Sequence, residues 1–190
     1  MGVTIMDYKS KDIREAAFRI MEIAGNPAKR FNKGQQILIE MADGTKANLK
    51  TAGKGGLMVK ARSTNNDAEI IGFNAGVSHI LAAVCLPGED YVTAYLIPQD
   101  VVEEAYRRNN REWSERKPGR ASDTWVLRFN ETKGNYYGDN MAEEWKQYRI
   151  GSTSLEEIDN TPKAVLERAR GEIADAYGVE AEQVKISVDL

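Results

Sequence analysis

The sequence predicts an α/β domain, with a mixed central sheet of about five strands flanked by helices and a helix-strand appendage at the C-terminal end. Three observations carry that expectation. Apolar residues recur at helical spacing between Ser10 and Gly25. Two β-type runs, Ile37 to Met41 and Lys46 to Thr51, flank an Asp43-Gly44 turn. The apolar runs Val77 to Leu86 and Tyr91 to Ile97 are joined by the turn residues Pro87-Gly88-Glu89-Asp90.

In the first element Ser10 is a capping residue, Ile13, Ala16, Ala17, Ile20 and Ile23 form one face, and Gly25 is the stop. A loop is expected from Asn26 to Gly34, then the hairpin. Gly53-Lys54-Gly55-Gly56 leads into a third short strand, Leu57 to Arg62. The two long apolar runs then read as an inner strand pair. Pro98-Gln99-Asp100 breaks that pairing, and a charged helix covers Val101 to Asn109. Trp125 to Phe129 alternates as a late strand, followed by a loop rich in Gly, Asn and Tyr from Asn130 to Asn140 and a helical segment around Met141 to Tyr148.

From Gly151 the texture changes, which divides the chain into an α/β domain at 1–150 and an appendage at 151–190. Ser154 with Glu157 spells a capping box, Thr161-Pro162 starts a helix running to about Tyr177, and Val184 to Val188 reads as a closing strand.

The 190 residues suffice for one ordinary domain, and 42% hydrophobic with 29% charged residues excludes collagen-like, coiled-coil and wholly disordered chains. No stretch reaches the roughly 18 apolar residues that span a bilayer, and the start MGVTIMDYKSKD lacks the apolar run of a signal peptide, so a cytoplasmic protein without a membrane partner is expected. One cysteine, Cys85, rules out an intrachain disulfide framework, and one histidine, His79, leaves too few soft ligands for structural zinc.

Several chemistries are excluded by spelling. Gly53-Lys54-Gly55-Gly56 lacks the spacing of a P-loop, and no Gly-x-Ser-x-Gly elbow occurs. His79 opens an apolar run, the setting of a packed or capping imidazole, and Cys85 sits within Ala82 to Leu86 as a core thiol.

The order of elements, a helix, a hairpin, a third strand with lysine after an apolar pair, then paired runs ending in Tyr91-Val92-Thr93-Ala94-Tyr95-Leu96-Ile97-Pro98, resembles the PD-(D/E)xK, restriction-endonuclease-like fold over residues 10–130. In that family an Asp and an acid-x-Lys on neighbouring strands hold a divalent metal that orients water and neutralises phosphate charge. The resemblance implies two alignments. One sets Asn48-Leu49-Lys50 at the acid-x-Lys position; the other sets Met58-Val59-Lys60 there, with Asn48 in place of the metal-binding Asp. In both an acid is replaced, so Lys50, Lys60, Asp43 and Asn48 are the implied catalytic set, with Glu15, Glu40 and Asp43 as the carboxylates for Mg²⁺. Asp43 also reads as a plain turn residue and Glu15 as a solvated helix face.

Net charge is −3, but its distribution is uneven. Lys46, Lys50, Lys54, Lys60 and Arg62 lie in a stretch without acids, and Arg107, Arg108 and Arg111 recur along a helix that also carries Glu103, Glu104 and Glu112. Such a strip suits a phosphate backbone through counterion release, and Trp113, Trp125, Tyr136 and Tyr137 either stack on bases or pack beside their loop. The expected function is a nucleic-acid-binding protein of nuclease-like fold, DNA ahead of RNA, with Mg²⁺-dependent endonucleolytic cleavage if the altered centre is active. The other expectation is a non-enzymatic interaction or inhibitor protein of a phage, plasmid or restriction system, with a protein partner or a second copy of the chain.

Overall fold

A computed structural model of the chain describes residues 9–32, 36–64, 67–71, 73, 76–118, 124–129, 140–155 and 162–186. Helix α1 (Ser10–Ile23) buries Ile13, Ala16, Ala17, Ile20 and Met21. Ser10 is its first helical residue rather than its cap; the Lys9 N–H donates to the Asp12 carboxylate at 3.0 Å. Gly25, at φ 75°, ends the helix, with its N–H and that of Asn26 returning to the Glu22 and Met21 carbonyls.

The central sheet contains β1 (Ala28–Arg30), β2 (Ile37–Met41), β3 (Lys46–Gly53), β6 (His79–Cys85), β7 (Tyr91–Pro98) and β9 (Arg149–Ser154), side by side in that order. It is mixed: β3 and β6 run parallel, and all other neighbours are antiparallel. A second sheet holds β5 (Asp67–Ile71), β4 (Gly56–Thr64) and β8 (Thr124–Arg128), in the order β5-β4-β8.

Alternation along β6 sorts the core into two layers. Leu81, Ala83 and Cys85 face α1, whereas Ile80, Ala82 and Val84 face the second sheet. The latter layer is completed by Leu57, Val59 and Ala61 of β4, by Val102, Ala105 and Tyr106 of α2 (Gln99–Arg116), and by Phe129, Met141 and Trp145. Met141 opens α3 (Met141–Glu144), which a short 3₁₀ turn, Lys146–Tyr148, links to β9. Helix α4 (Pro162–Tyr177) reaches α1 through Lys11 to Glu172 and Glu15 to Arg168 ion pairs.

The α/β class and the mixed sheet agree with the sequence expectation; the strand count and membership differ. Leu57 to Arg62 leaves the central sheet because β6 occupies the place beside β3, and the Lys54-Gly55 turn, with φ 59° and 68°, sends the chain to the second layer. The expected loop at Asn26 to Gly34 contains β1, whose three residues are too short to show a period. The helix expected at Val101 to Asn109 extends from Gln99 to Arg116. Residues 184–186 of the expected closing strand carry no strand, and the rest of that segment, like the loop at 130–139 with Tyr136 and Tyr137, lies outside the described residues.

Candidate functional site

Strand β3 pairs with β2 only as far as Leu49, so among the described residues Lys50 to Gly53 have no strand partner on that side. A cleft of about 330 Å³ opens there, lined by Ser10 and Arg14 of α1, Gln36, and Asn48, Lys50 and Thr51 of β3. Asn48 is buried, and its amide donates to Gln36 Oε1 at 3.4 Å. Lys50 is half-buried with its Nζ 5.7 Å from the Phe73 ring centroid, and burial pulls its pKa down from the usual lysine value. The Arg14 Nε donates to the Ser10 carbonyl at 3.2 Å. Among the described residues no carboxylate forms an ion pair with Lys50 or Arg14, and none lines the cleft.

Arg14 also borders a neighbouring cleft of about 370 Å³, between α1 and α4, which contains Arg30, Glu15 and Arg168. Glu15 Oε2 lies 3.6 Å from Arg168 Nε. Desolvation raises the Glu15 pKa above the ordinary carboxylate value, and the Arg168 and Lys11 charges pull against that rise. The two clefts thus meet at Arg14.

The residues singled out in the sequence are dispersed over the fold. Asn48 and Lys50 share one face of β3. Lys60 is exposed on the second sheet and Arg62 lies further along the same strand, opposite Glu69 in register. Lys54 is exposed in the turn between the sheets. Lys46 is at the far end of β3, 5.4 Å from the Phe31 ring centroid and opposite Glu40, which also faces Lys29 of β1. Glu40 is therefore flanked by two lysines across the sheet. Asp43 accepts from the Thr45 N–H and the Asn26 amide, both at 2.8 Å, bonds that hold its carboxyl below the usual range and make it the turn residue.

On α2 the arginines face acids. Arg107 is 3.5 Å from Glu103, Arg111 is 2.9 Å from Glu104, and Arg108 reaches both Glu144 oxygens at 2.7 and 2.8 Å. Trp125 is in the core and Trp113 is half-buried. His79 Nδ1 is 2.8 Å from Ser78 Oγ, and Cys85 is buried.

Mg²⁺ takes hard oxygen donors, chiefly carboxylates. The cleft at the β3 edge offers two side-chain amide oxygens, of Gln36 and Asn48, and no carboxylate, so its residues do not fit that ion. No group of three or more His, Cys, Asp or Glu that could hold a metal occurs among the described residues. The cleft is lined by two basic residues and no acid, but they approach the strand edge from opposite faces: Arg14 comes from α1, and Lys50 points to the Phe73 side, in register with Ala82. Sequence reasoning found Asn48 and Lys50, two apart on a strand, and missed Arg14, which the packing of α1 brings to the same strand edge from the other face of the sheet.

The chain was compared with protein-family models, curated proteins and solved structures, and none of the three comparisons gave a match. No described helix is long and apolar enough to cross a membrane.

Proposed function

We propose that this protein binds nucleic acid, DNA ahead of RNA, through the strand edge at Arg14 and Lys50. The observation that carries the reading is Lys50, a half-buried cation without a carboxylate partner among the described residues, at a strand edge whose cleft is lined by no acid. Desolvating a lysine costs free energy, which an arriving phosphate offsets. Mg²⁺-dependent hydrolysis, implied by the resemblance to nucleases, is the enzymatic extension of this reading and would recruit carboxylates from outside the cleft.

Fluorescence anisotropy with labelled DNA and RNA over a salt series, with and without Mg²⁺, tests the reading, and the same samples run on a gel report cleavage. Affinity should fall linearly with log salt, and Lys50→Met should reduce the slope by about 0.7 to 0.9, the share of one phosphate contact. Absence of binding at low salt overturns the reading.

A second reading, a non-enzymatic protein-interaction module, is favoured by one observation. Val165, Ile173, Tyr177 and Val179, on or just after α4, are exposed apolar residues, with Tyr177 at 78%. Its signature is partner capture that survives Lys50→Met and is lost on Ile173→Asp.

A further inference from the structure

The second sheet turns one face to the core and one to solvent. Leu57 and Val59 of β4 and Trp125 and Leu127 of β8 are buried in the core layer. Alternation therefore sends Gly56, Met58 and Lys60 of β4 outward, opposite Arg128, Val126 and Thr124 of β8 in register. A Cβ on Gly56 would lie 3.2 Å from Arg128 Nη1 and 3.4 Å from Val126 Cγ1, so both side chains lie over that glycine on the outer face. Met58 is 63% exposed, and Lys60 is exposed beside it.

The charge balance of this face is unlike that of α2. Arg107, Arg108 and Arg111 each pair with a glutamate, whereas Lys60 and Arg128 form no ion pair among the described residues. No acid occurs at the outward positions of the β4–β8 pair, and Glu69 of β5 is opposite Arg62, further along β4. Met58 and Val126, paired in register, thus lie between two uncompensated cations. We propose that this face is a platform for single-stranded nucleic acid, with Lys60 and Arg128 on phosphates either side of a base that rests on Met58.

Charge complementarity selects a polyanion, and the apolar pair selects among polyanions. Arg128 is opposite Gly56, so the strand rise sets it roughly 13 Å from Lys60, too far to share one phosphate and suited to separate phosphates of one strand. A thioether makes favourable contacts with aromatic rings, and an unpaired base offers its π-face. A duplex keeps its bases stacked inside and would leave Met58 against sugar and phosphate. An acidic polypeptide supplies the charge without the rings. The inference rests on the nucleic-acid reading above for the class of ligand and gives it a contact surface on the other sheet from Lys50.

The test uses the full chain in anisotropy over a salt series, with a labelled oligothymidylate, an abasic strand and a duplex of the same length, and with polyglutamate as competitor. Oligothymidylate should bind about threefold tighter than the abasic strand, the share of one thioether–ring contact, and Met58→Ser should remove that preference without changing the salt slope. Lys60→Gln and Arg128→Gln should each reduce the slope by about 0.7, one phosphate contact on a single strand. Lys60 is exposed, so circular dichroism of Lys60→Gln should match the wild type and loss of slope in that variant is not a folding effect.

If oligothymidylate binds but neither cation variant moves the slope, or if the abasic strand or the duplex binds as tightly, the platform is overturned while the nucleic-acid reading stands. If Lys60→Gln and Arg128→Gln weaken binding and Lys50→Met does not, the platform stands and the strand-edge site falls. Displacement of oligothymidylate by polyglutamate at equal charge concentration would assign the face to an acidic protein and overturn the proposal. If no strand binds at low salt, both readings are overturned.

Discussion

Tyr106 of α2 donates a 2.8 Å hydrogen bond from its hydroxyl to the main-chain carbonyl of Leu57 in β4, tying the long helix to the second sheet. Both residues are fully buried, and burial drives the phenol pKa well above its ordinary value of 10.0, so it remains a neutral donor. Tyr106→Phe keeps the ring against Phe73 and removes only the donor. A loss of about 1 to 2 kcal/mol is expected in urea unfolding, since a buried carbonyl loses its partner while the packing is retained.

The turn between the two sheets depends on Gly55. Its N–H donates to the Cys85 carbonyl and its carbonyl accepts from Phe129 N–H, both at 3.0 Å, so it joins the central sheet to the second one. At φ 68° a side chain is disfavoured, and an added Cβ would come within 2.9 Å of Leu86 Cδ2. Gly44 has a similar φ of 83° in the first hairpin with nothing within 4 Å of a Cβ. Gly44→Ala should therefore cost about 1 kcal/mol for backbone conformation alone, and Gly55→Ala more, about 2 kcal/mol, because Leu86 must also move. Equal losses in thermal unfolding would mean that Leu86 yields freely.

Lys50 gives a prediction at alkaline pH. Its folded pKa lies below the ordinary 10.5 because burial opposes the charge. Between the lowered value and 10.5 the unfolded chain holds the proton that the folded chain has released, so this group makes stability rise with pH across that window. Lys50→Met should flatten the rise and leave stability at neutral pH unchanged or higher by no more than about 1 kcal/mol. Denaturant midpoints for the two proteins over an alkaline pH series provide the check.

Local patterns account for what the sequence makes legible. The face of α1, the β2–β3 hairpin and the β6–β7 pair each repeat with a period of their own, and their observed bounds fall close to the expected ones. The membership of β4 was not legible, because Leu57, Val59 and Ala61 would alternate identically in either sheet, and only the occupancy of β3's flank by β6 decides between them. Strand β9 was hidden for another reason: Arg149, Gly151, Ser152 and Ser154 are weak strand residues, held by pairing with β7 and interrupted by an irregularity at Ala94 and Tyr95. The site divides in the same way. Asn48 and Lys50 are readable together as strand neighbours, while the approach of Arg14 to the β3 edge, like the pairing of Glu15 with Arg168, is a product of packing between segments distant in sequence.

Glu15 provides the complementary test at acid pH. Its folded pKa is raised from the ordinary 4.5, chiefly by desolvation, with Arg168 limiting the rise. Between 4.5 and the raised value the folded chain holds a proton that the unfolded chain has lost. This contribution to stability is therefore full below 4.5 and declines as pH rises through the folded pKa. Glu15→Gln should remove that decline, an effect on the order of 0.5 kcal/mol given solvent screening at a surface cleft. Arg168→Leu should shift the Glu15 carboxyl further upward and widen the window, which carbon NMR of the labelled carboxyl would follow directly. A downward shift in that variant would mean that the Arg168 charge does not act on Glu15 in solution and that burial of the carboxyl depends on α4 being docked.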